Sequence, residues 1–442
     1  MSLIINNNSL ANYIESSYQS NDIKKIITFL ESKHTFNFPT LDNHLFSASA
    51  VSTNTSYTGY SNVWVRDNIY LAYTHYIIGK TKIAIKNIES LITYFKKFGW
   101  RFEAIIEGRV DPNDVMQRPH VRFDGRDLSE IDQPWQQAQN DALGYFLWFC
   151  CKLAREKSIA LQPEDLETLA LFPFYFQAIS YWQDEDSGHW EEERKVAASS
   201  IGVVIAGLRS LKLLLTDTEL AKYCKYKDNL VTAEFLDELI LTGKAALSKI
   251  LPAECVRPNS KSRQYDAALL FLIYPLQVVE QEMSEEILGN VISKLQGDYG
   301  IRRYLKDSFW CRNYKDLPEE IRTSISSERE QWLKEHGREL KEGEEAQWCI
   351  FDPIISAIFG LKFQKTHQQQ YLQQQTFYLN RSLGQLTAKD CELGEFKCPE
   401  LYYLQSDRYV ANDATPLLWT QANLRIALKV MEDSLLEAEQ TV

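Results

Sequence analysis

The sequence predicts an all-α fold, because apolar residues recur at helical spacing along most of its 442 residues. Near the start of the chain, Ile23, Ile26 and Leu30 fall on one face of a helix. Alternating strand patterns are scarce, and residues 362–363 and 393–398 are the weak candidates. No long Gly/Ser-rich or Pro-rich linker interrupts the helical pattern, which favours a chain built from successive helices.

The predicted helices follow one another to the end of the chain. In the segment 85–95, Ile85, Ile88, Leu91 and Phe95 share one face, and Gly99 provides a stop signal beyond it. The same spacing predicts further helical segments at residues 69–78, 142–153, 201–211, 236–250, 267–279, 354–359 and 419–436.

The spread of Pro and Gly between these segments predicts one domain over residues 1–442. The charged stretch between Pro318 and Glu345 is interpreted as a solvated helical insertion in that domain. At this length and with 45% hydrophobic residues, the chain can bury a large core.

The charge of the chain argues against polyanionic partners. Its formal net charge of -12 would repel nucleic acid and anionic membrane surfaces, and no Lys/Arg stripe offsets it. No apolar run is long enough to cross a membrane, and the start of the chain lacks the pattern of a secretory signal. We therefore expect a cytoplasmic protein that binds neither nucleic acid nor membranes; the sequence does not indicate an oligomeric state.

The cysteine and histidine residues show no metal-binding pattern. Eight Cys are scattered without a C-x-x-C spacing, and the seven His are not spaced like ligands. Reduced and mostly buried thiols are the better interpretation, and we expect no metal and no cofactor. Aromatic residues make up 12% of the chain, and their rings suit the flat faces of neutral, ring-shaped ligands.

One acid-rich loop stands before a predicted helix. Glu191, Glu192 and Glu193 follow Trp190 directly, and the small residues from Ala197 lead into the helical segment. Such a loop suits carboxylate chemistry at the mouth of a pocket. The alternative is that acids before a helix only stabilise its positive end.

Two further loops combine Trp with polar residues just before a helix. In the first, Arg66 and Asp67 follow Trp64, so that hydroxyl groups could be bound by a donor and an acceptor beside a stacking face. Taken alone, this pattern also fits an ion pair beside a core Trp. In the second, Gln139-Asn140-Asp141 follows Trp135, where Asn and Asp could equally be helix N-caps.

Together these motifs resemble glycoside hydrolase family 15, the glucoamylase-like family. The order is Trp-x-Arg-Asp, Trp-x-x-x-Gln-Asn-Asp, Trp-Glu-Glu, Arg263-x-x-Asp266, Trp348 and Pro399-Glu400, over about residues 64–428. The family also includes the N-terminal regions of the phosphorylase kinase α and β subunits. The segments 399–403 and 120–123 look closer to that branch and its bacterial relatives.

The resemblance implies an (α/α)6 toroid and inverting hydrolysis of α-linked glucose from non-reducing ends. It implies that Glu191 is the general acid and Glu400 the general base, although the three consecutive acids leave the register open between Glu191 and Glu192. Inversion needs a protonated carboxyl at the leaving oxygen and an ionised one that activates water on the opposite face. The other residues implied in substrate binding are Trp64, Arg66, Asp67, Trp135, Gln139, Asn140, Asp141, Trp190, Glu192, Arg263 and Trp348.

Three functions remain open at this point. The first is a glucoamylase-type hydrolase of malto-oligosaccharides or glycogen-like glucans. The second is a non-catalytic carbohydrate-binding or regulatory protein, as the likeness to the kinase subunits suggests. The third is a toroid enzyme for another sugar, of the trehalase or glucuronyl hydrolase type. An anionic sugar would require a further Lys or Arg near the pocket, because Arg66 and Arg263 already have assigned roles.

Overall fold

The computed structural model describes residues 3–49, 59–257, 262–323 and 325–441, and α-helices dominate it. The all-α prediction is confirmed. The helices in this part of the chain are α1 (Ser20–Ser32), α2 (Val65–Ile77), α3 (Thr81–Lys97), α4 (Gly99–Ile106), α5 (Asn140–Arg155), α6 (Pro163–Ala178), α7 (Ala198–Leu214), α8 (Thr218–Ala221), α9 (Ala233–Ile250), α10 (Gln281–Asn290), α11 (Ser326–Glu335), α12 (Asp352–Thr366), α13 (Gln369–Gly384) and α14 (Leu418–Thr441).

Six helical segments form a closed inner ring. In chain order they are α2, α5, α7, the 3-10 segment Ala267–Leu272, α12 and α14; each contacts the next, and α14 closes the ring against α2. Helices α3, α6, α9, α10, α13 and α1 pack against the inner segments from outside, and α3 and α13 each contact two of them. The molecule is therefore an (α/α)6 toroid, as the resemblance implied.

The inner helices α5 and α7 approach each other unusually closely, and glycines permit this. A Cβ atom on Gly144 would lie 2.9 Å from the backbone of Val203, and one on Gly207 would lie 2.8 Å from the Gly144 carbonyl oxygen. Almost every residue of both helices is buried. By contrast, the outer helix α3 buries one apolar face, as its sequence pattern predicted.

The prediction of one helix over residues 267–279 is only partly right. The Asp266 side chain caps a 3-10 helix by accepting a hydrogen bond from the Ala268 amide, and this helix ends at Leu272. Pro275 then disfavours helical geometry at Tyr274 and lacks an N–H group, which explains why the helix does not continue.

Both weak strand predictions are wrong. Residues 362–363 lie in α12, and residues 393–398 form turns. Short apolar alternations are ambiguous, and the neighbouring helix pattern decides these cases. The strands in the described part of the chain are short and antiparallel: β1 (Val63–Trp64), β2 (Arg122–Asp124) and β3 (Ser129–Glu130); β4 (Lys225–Tyr226) and β5 (Asn229–Leu230); β6 (Gln347–Trp348), β7 (Leu401–Gln405) and β8 (Arg408–Ala411).

The charged stretch 318–345 is partly helical and partly buried. It holds α11 and a 3-10 turn at Glu319–Ile321. On α11, Leu333 is buried and the fully buried Arg329 donates hydrogen bonds to the Ser308 carbonyl oxygen and hydroxyl, at 3.0 Å each. The stretch therefore has an apolar and polar anchor on the core instead of being wholly solvated.

Most of the motif-bearing loops precede inner helices. Strand β1 runs directly into α2, the loop 184–197 precedes α7, β6 shortly precedes α12, and β7 and β8 precede α14. This arrangement gathers the predicted site residues at the N-terminal ends of the inner ring. None of the helices described is long and apolar enough to cross a membrane.

Candidate active site

The Glu400 carboxylate is buried and fixed by two neutral donors. It lies directly before β7, where the Tyr60 hydroxyl donates to Oε1 at 2.8 Å and Asn412 Nδ2 donates to Oε2 at 2.5 Å. Burial raises the pKa of Glu400 to about 7, although both hydrogen bonds stabilise the ionised form. Each carboxylate oxygen is thereby held in one orientation by a group that carries no charge.

The Glu191 carboxylate faces cations instead. The residue follows the 3-10 turn Gly188–Trp190 and adopts a left-handed conformation with φ of 56°, which is uncommon for a residue other than glycine. Arg66 Nη2 donates to Glu191 Oε1 at 3.0 Å. Burial raises the pKa of Glu191, and the charges of Arg66 and Arg122 oppose that rise. This carboxyl group is 14% exposed, so it remains accessible.

Its neighbour Glu192 has a different environment. Arg263 Nη2 donates to Oε2 at 2.9 Å, while Arg303 Nη2 at 2.8 Å and the Tyr304 hydroxyl at 2.6 Å donate to Oε1. Despite burial, which acts in the other direction, the charges of Arg303 and Arg263 lower the pKa of Glu192 to about 2. Glu192 is therefore an ionised carboxylate with both oxygens occupied, which is unsuited to donating a proton.

Arg66 connects several of the predicted residues. It is buried, and its Nη1 donates to Asp141 Oδ2 at 2.5 Å and to Gln139 Oε1 at 3.3 Å. Burial acts to raise the pKa of Asp141, but Arg66 and then His189 hold it below its ordinary value. The structure thus brings Gln139, Asp141 and Glu191 into contact with Arg66, and all four residues belong to the predicted motifs.

Asp67 is a second buried acid of the site. Burial raises its pKa to about 7, Arg66 opposes the rise, and the charges of Glu191 and Glu400 add to it. Since both glutamates act on the same aspartate, the three carboxyl groups share one electrostatic environment. Glu191 also raises the pKa of Glu400, which places these two acids within interaction range despite their separation in sequence.

Aromatic rings line two sides of this group. The Trp64 and Trp135 rings meet edge to face at 6.2 Å, and Tyr60 lies 5.6 Å from Trp64. On the other side, the Trp190 and Trp348 ring centroids are 5.8 Å apart. The four Trp residues named from the motifs therefore lie in two pairs.

Two predicted substrate-binding residues are already occupied by protein groups. Arg263 donates to Asp266 at 3.1 Å as well as to Glu192, and its guanidinium lies 3.4 Å from the centroid of the Tyr304 ring. Asn140 donates through Nδ2 to Asp184 at 2.8 Å. Their contacts with a substrate stay predictions.

Several residues in the site carried no local sequence signal. Asp266, which accepts a hydrogen bond from Trp190 Nε1 at 3.0 Å, was part of a motif but had no assigned role. Tyr60 lies four residues before Trp64 and could have been included on that ground. The others are recognisable only in the fold: Arg122, Arg303, Tyr304, Asp307 and Asn412.

Comparison with known proteins agrees with this fold. The family model described as "Glycosyl hydrolases family 15" matches residues 45–423. Among solved structures, "Glycosidase E335A in complex with glucose" superimposes with a TM-score of 0.62 at 15% identity, covering 97% of this chain and 98% of the other. A glucoamylase from Saccharomycopsis fibuligera gives a TM-score of 0.58 at 12% identity, with 95% and 97% covered.

A curated relative comes from another functional class. The chain is 25% identical over 423 residues to a probable phosphorylase b kinase regulatory subunit alpha of Caenorhabditis elegans, and the aligned region covers 86% of this chain. This chain spans 31% of that relative's length. Because the family model covers most of the sequence and the fold agrees with it, the chain belongs to glycosyl hydrolases family 15.

Proposed function

We propose that this chain is an inverting, exo-acting α-glucoside hydrolase that releases glucose from malto-oligosaccharides or glycogen-like glucans. The observation that carries the proposal is the pairing of two carboxyl groups, the partly exposed Glu191 and the buried Glu400, held by different partners in one electrostatic environment. The low pKa of Glu192 supports Glu191 as the proton donor of the acidic loop. Family membership supports the reaction class.

In the proposed reaction, Glu191 donates its proton to the glycosidic oxygen as the bond from that oxygen to C1 breaks. Glu400 accepts a proton from a water molecule whose oxygen bonds to C1 from the opposite face. The products are β-glucose and the shortened glycoside, and proton exchange with solvent then restores both acids. Inversion needs carboxyl groups roughly 6.5 to 9.5 Å apart, which leaves room for the water.

The pair must carry one proton between them for this reaction. Burial raises the pKa of both Glu191 and Glu400, so the pair titrates at higher pH than ordinary glutamates. Between the two apparent pKa values of the pair, the reactive form has the proton on Glu191 and the charge on Glu400. We therefore expect a bell-shaped dependence of kcat/KM on pH.

The surrounding residues suit a terminal glucose unit. Trp64 offers a stacking face, while Arg66 and Asp67 offer donors and an acceptor for hydroxyl groups. Arg66 is oriented by Asp141 and Gln139, so its position is fixed before a sugar arrives. The eight free thiols support the expected location in the reducing cytoplasm.

The test is glucose release by the purified chain from maltose, maltotriose, isomaltose and trehalose, with polarimetric or NMR detection of the anomer. We expect β-glucose from at least one α-linked substrate. Glu191→Gln should lower kcat about 10²- to 10⁴-fold, as expected for loss of general acid catalysis. The matched control is Glu193→Gln in the same loop, which should keep activity. Full activity of Glu191→Gln, or release of α-glucose, would refute the mechanism.

The likeness to the kinase regulatory subunit supports a second candidate function, a carbohydrate-binding protein without turnover. This function predicts that maltose or acarbose binds in calorimetry while no glucose is released. Measurable hydrolysis by the wild-type chain, lost in Glu400→Gln, would exclude it.

A further inference from the structure

Arg122 is a buried arginine beside the candidate acid. It lies on β2 directly opposite Trp64 on β1, and its side chain is buried with 3% of the residue exposed. Its guanidinium carbon lies 3.9 Å from the Trp135 ring centroid and 5.1 Å from that of Trp64. The two rings stand nearly perpendicular to each other, so at most one of them stacks on a face of the guanidinium, whose N–H groups point outward in its own plane towards polar partners.

No carboxylate forms an ion pair with this guanidinium, although the charge of Glu191 acts on it without direct contact. Nη1 and Nη2 share one acceptor, Gln133 Oε1, at 3.3 Å each, and the buried Nε has no hydrogen-bond partner in the described structure. Every Asp and Glu of the chain belongs to the described residues, and none of them forms an ion pair with Arg122. A buried cation without a counter-charge is costly, so its retention suggests a function.

The three other arginines of the site all form ion pairs with carboxylates. Arg66 contacts Asp141 and Glu191. Two carboxylates likewise contact each of the others, namely Glu192 and Asp266 for Arg263, and Glu192 and Asp307 for Arg303. Of these four arginines, only Arg122 forms no ion pair with a carboxylate of the chain. The fork of its N–H groups suits a carboxylate or phosphate.

The position of Arg122 indicates which part of a substrate it would contact. Its charge acts on the carboxyl group of Glu191, which is the proposed proton donor to the leaving oxygen. In the proposed function the acids Asp67, Glu191 and Glu400 surround the cleaved glucose and disfavour an anionic group there. An anion bound by Arg122 would therefore belong to the part of the substrate that leaves.

Resting on the hydrolase function proposed above, we propose that the leaving part of the preferred substrate carries an anionic group, a carboxylate or a phosphate, which Arg122 binds. The unmatched guanidinium between Trp64 and Trp135 is the site of this recognition. The cleaved glucose itself stays neutral, because the groups around it already contain Asp67, Glu191 and Glu400.

The test compares pairs of substrates that differ only in this charge. The reducing disaccharide that the wild-type chain hydrolyses fastest is oxidised to its aldonate or reduced to its alditol, which for maltose gives maltobionate and maltitol. A disaccharide phosphorylated on its reducing-end sugar, compared with the unmodified disaccharide, tests phosphate as the source of the charge. We expect at least one anionic member to have a kcat/KM about tenfold higher than its neutral partner.

Arg122→Gln should lower this anion-to-neutral ratio about tenfold, to near one, because the charge pair with the substrate is lost. Arg122→Lys should restore part of it. The control is Arg101→Gln, since Arg101 also stacks on a Trp, with 4.6 Å to the ring of Trp100, but is paired with Glu130. Its ratio should match that of the wild-type chain.

A ratio near one in the wild-type chain, or a ratio that Arg122→Gln leaves unchanged, would overturn the proposal while leaving the hydrolase function standing. If no glycoside is cleaved, the hydrolase function fails, and calorimetric binding of maltobionate against maltitol decides the recognition. Tighter binding of maltobionate that Arg122→Gln abolishes would support anion recognition, and equal binding would refute it.

Discussion

The site has two halves that treat their charges differently. In the first, here called the clamp, each of the acids Glu192, Asp266 and Asp307 forms an ion pair with Arg263, Arg303 or both. In the second, here called the open half, Glu400 has only neutral partners, Asp67 has a raised pKa and Arg122 has no counter-charge. The clamp satisfies its charges within the protein, while the open half leaves charges for a ligand to complete.

The adjacent residues Glu191 and Glu192 show how sharply the halves are divided. One peptide bond separates them, and yet burial raises the pKa of Glu191 while two arginines lower that of Glu192 to about 2. The left-handed backbone at Glu191 accompanies this divergence. Environment therefore decides which acid of the loop suits proton transfer, whatever their order in the sequence.

The largest effect on stability is expected from breaking the clamp. Glu192 is buried and Glu192→Gln removes the negative charge that it shares with Arg263 and the buried Arg303, which should lower the free energy of unfolding by about 3 to 5 kcal/mol. Denaturant unfolding followed by circular dichroism measures this loss. Glu191→Gln, in the open half, should change the free energy of unfolding by less than about 1 kcal/mol. Equal losses in both variants would remove the distinction between the halves.

The open half should make stability depend on pH. The pKa values of Asp67 and Glu400 are raised to about 7 in the folded chain and lie near 4 in the unfolded chain. As the pH falls towards 7 and below, the folded state therefore binds more protons than the unfolded state and becomes more stable. Asp186, at about 7, and Glu254, at about 8, act in the same direction. Between pH 8.5 and 6.5 the free energy of unfolding should therefore rise by roughly 2 to 4 kcal/mol.

Thermal or denaturant unfolding at these two pH values checks the rise. The double variant Asp67→Asn/Glu400→Gln should show a smaller rise, because two of the titrating groups are gone. Asp141, with its lowered pKa, contributes stability that is lost only at pH values below its ordinary range, so Asp141→Asn should leave the rise unchanged. A wild-type chain that is equally stable at both pH values would contradict the raised pKa values of the open half.

The smallest effect concerns the orientation of Glu400. Tyr60→Phe removes a hydrogen bond that favours the ionised carboxylate, so the pKa of Glu400 should rise further. Because the proposed base acts only when ionised, the acidic limb of the kcat/KM profile should move to higher pH. The profile of Tyr76→Phe, a tyrosine that contacts the exposed side of Glu156, serves as the control. An unchanged acidic limb would show that Tyr60 does not affect the ionisation of Glu400 in the reaction.

The sequence predicted the acids of the site better than the groups that hold them. Helical spacing predicted the helices, and the family resemblance of the Trp-containing motifs implied their ring. The same motifs contain Glu191, Arg66 and Asp141, which lie together in the structure. The partners of Glu400 escaped prediction because Tyr60 is separated from it by 340 residues. Only closure of the ring brings them together, and no local pattern encodes such a contact.

Arg122 shows why composition and motifs were insufficient for specificity. An anionic sugar would need a further basic residue near the pocket. The segment 120–123, which contains Arg122, indicated only a likeness to the kinase-subunit branch of the family. Its lack of a carboxylate partner is visible only when all neighbours are known. The same is true of the 3-10 segment Ala267–Leu272, where a cap and Pro275 overrode an apolar pattern typical of a longer helix.

The contact between α5 and α7 has a consequence for the chemistry. Asp141 lies in the first turn of α5 and Glu191 lies in the loop that leads into α7, and Arg66 bridges the two acids. The spacing of their supporting helices is set by the absence of side chains at Gly144 and Gly207. The position of the acid therefore depends partly on two glycines that contact neither substrate nor carboxylate. A single methyl group added at either glycine would shift the geometry of the reaction.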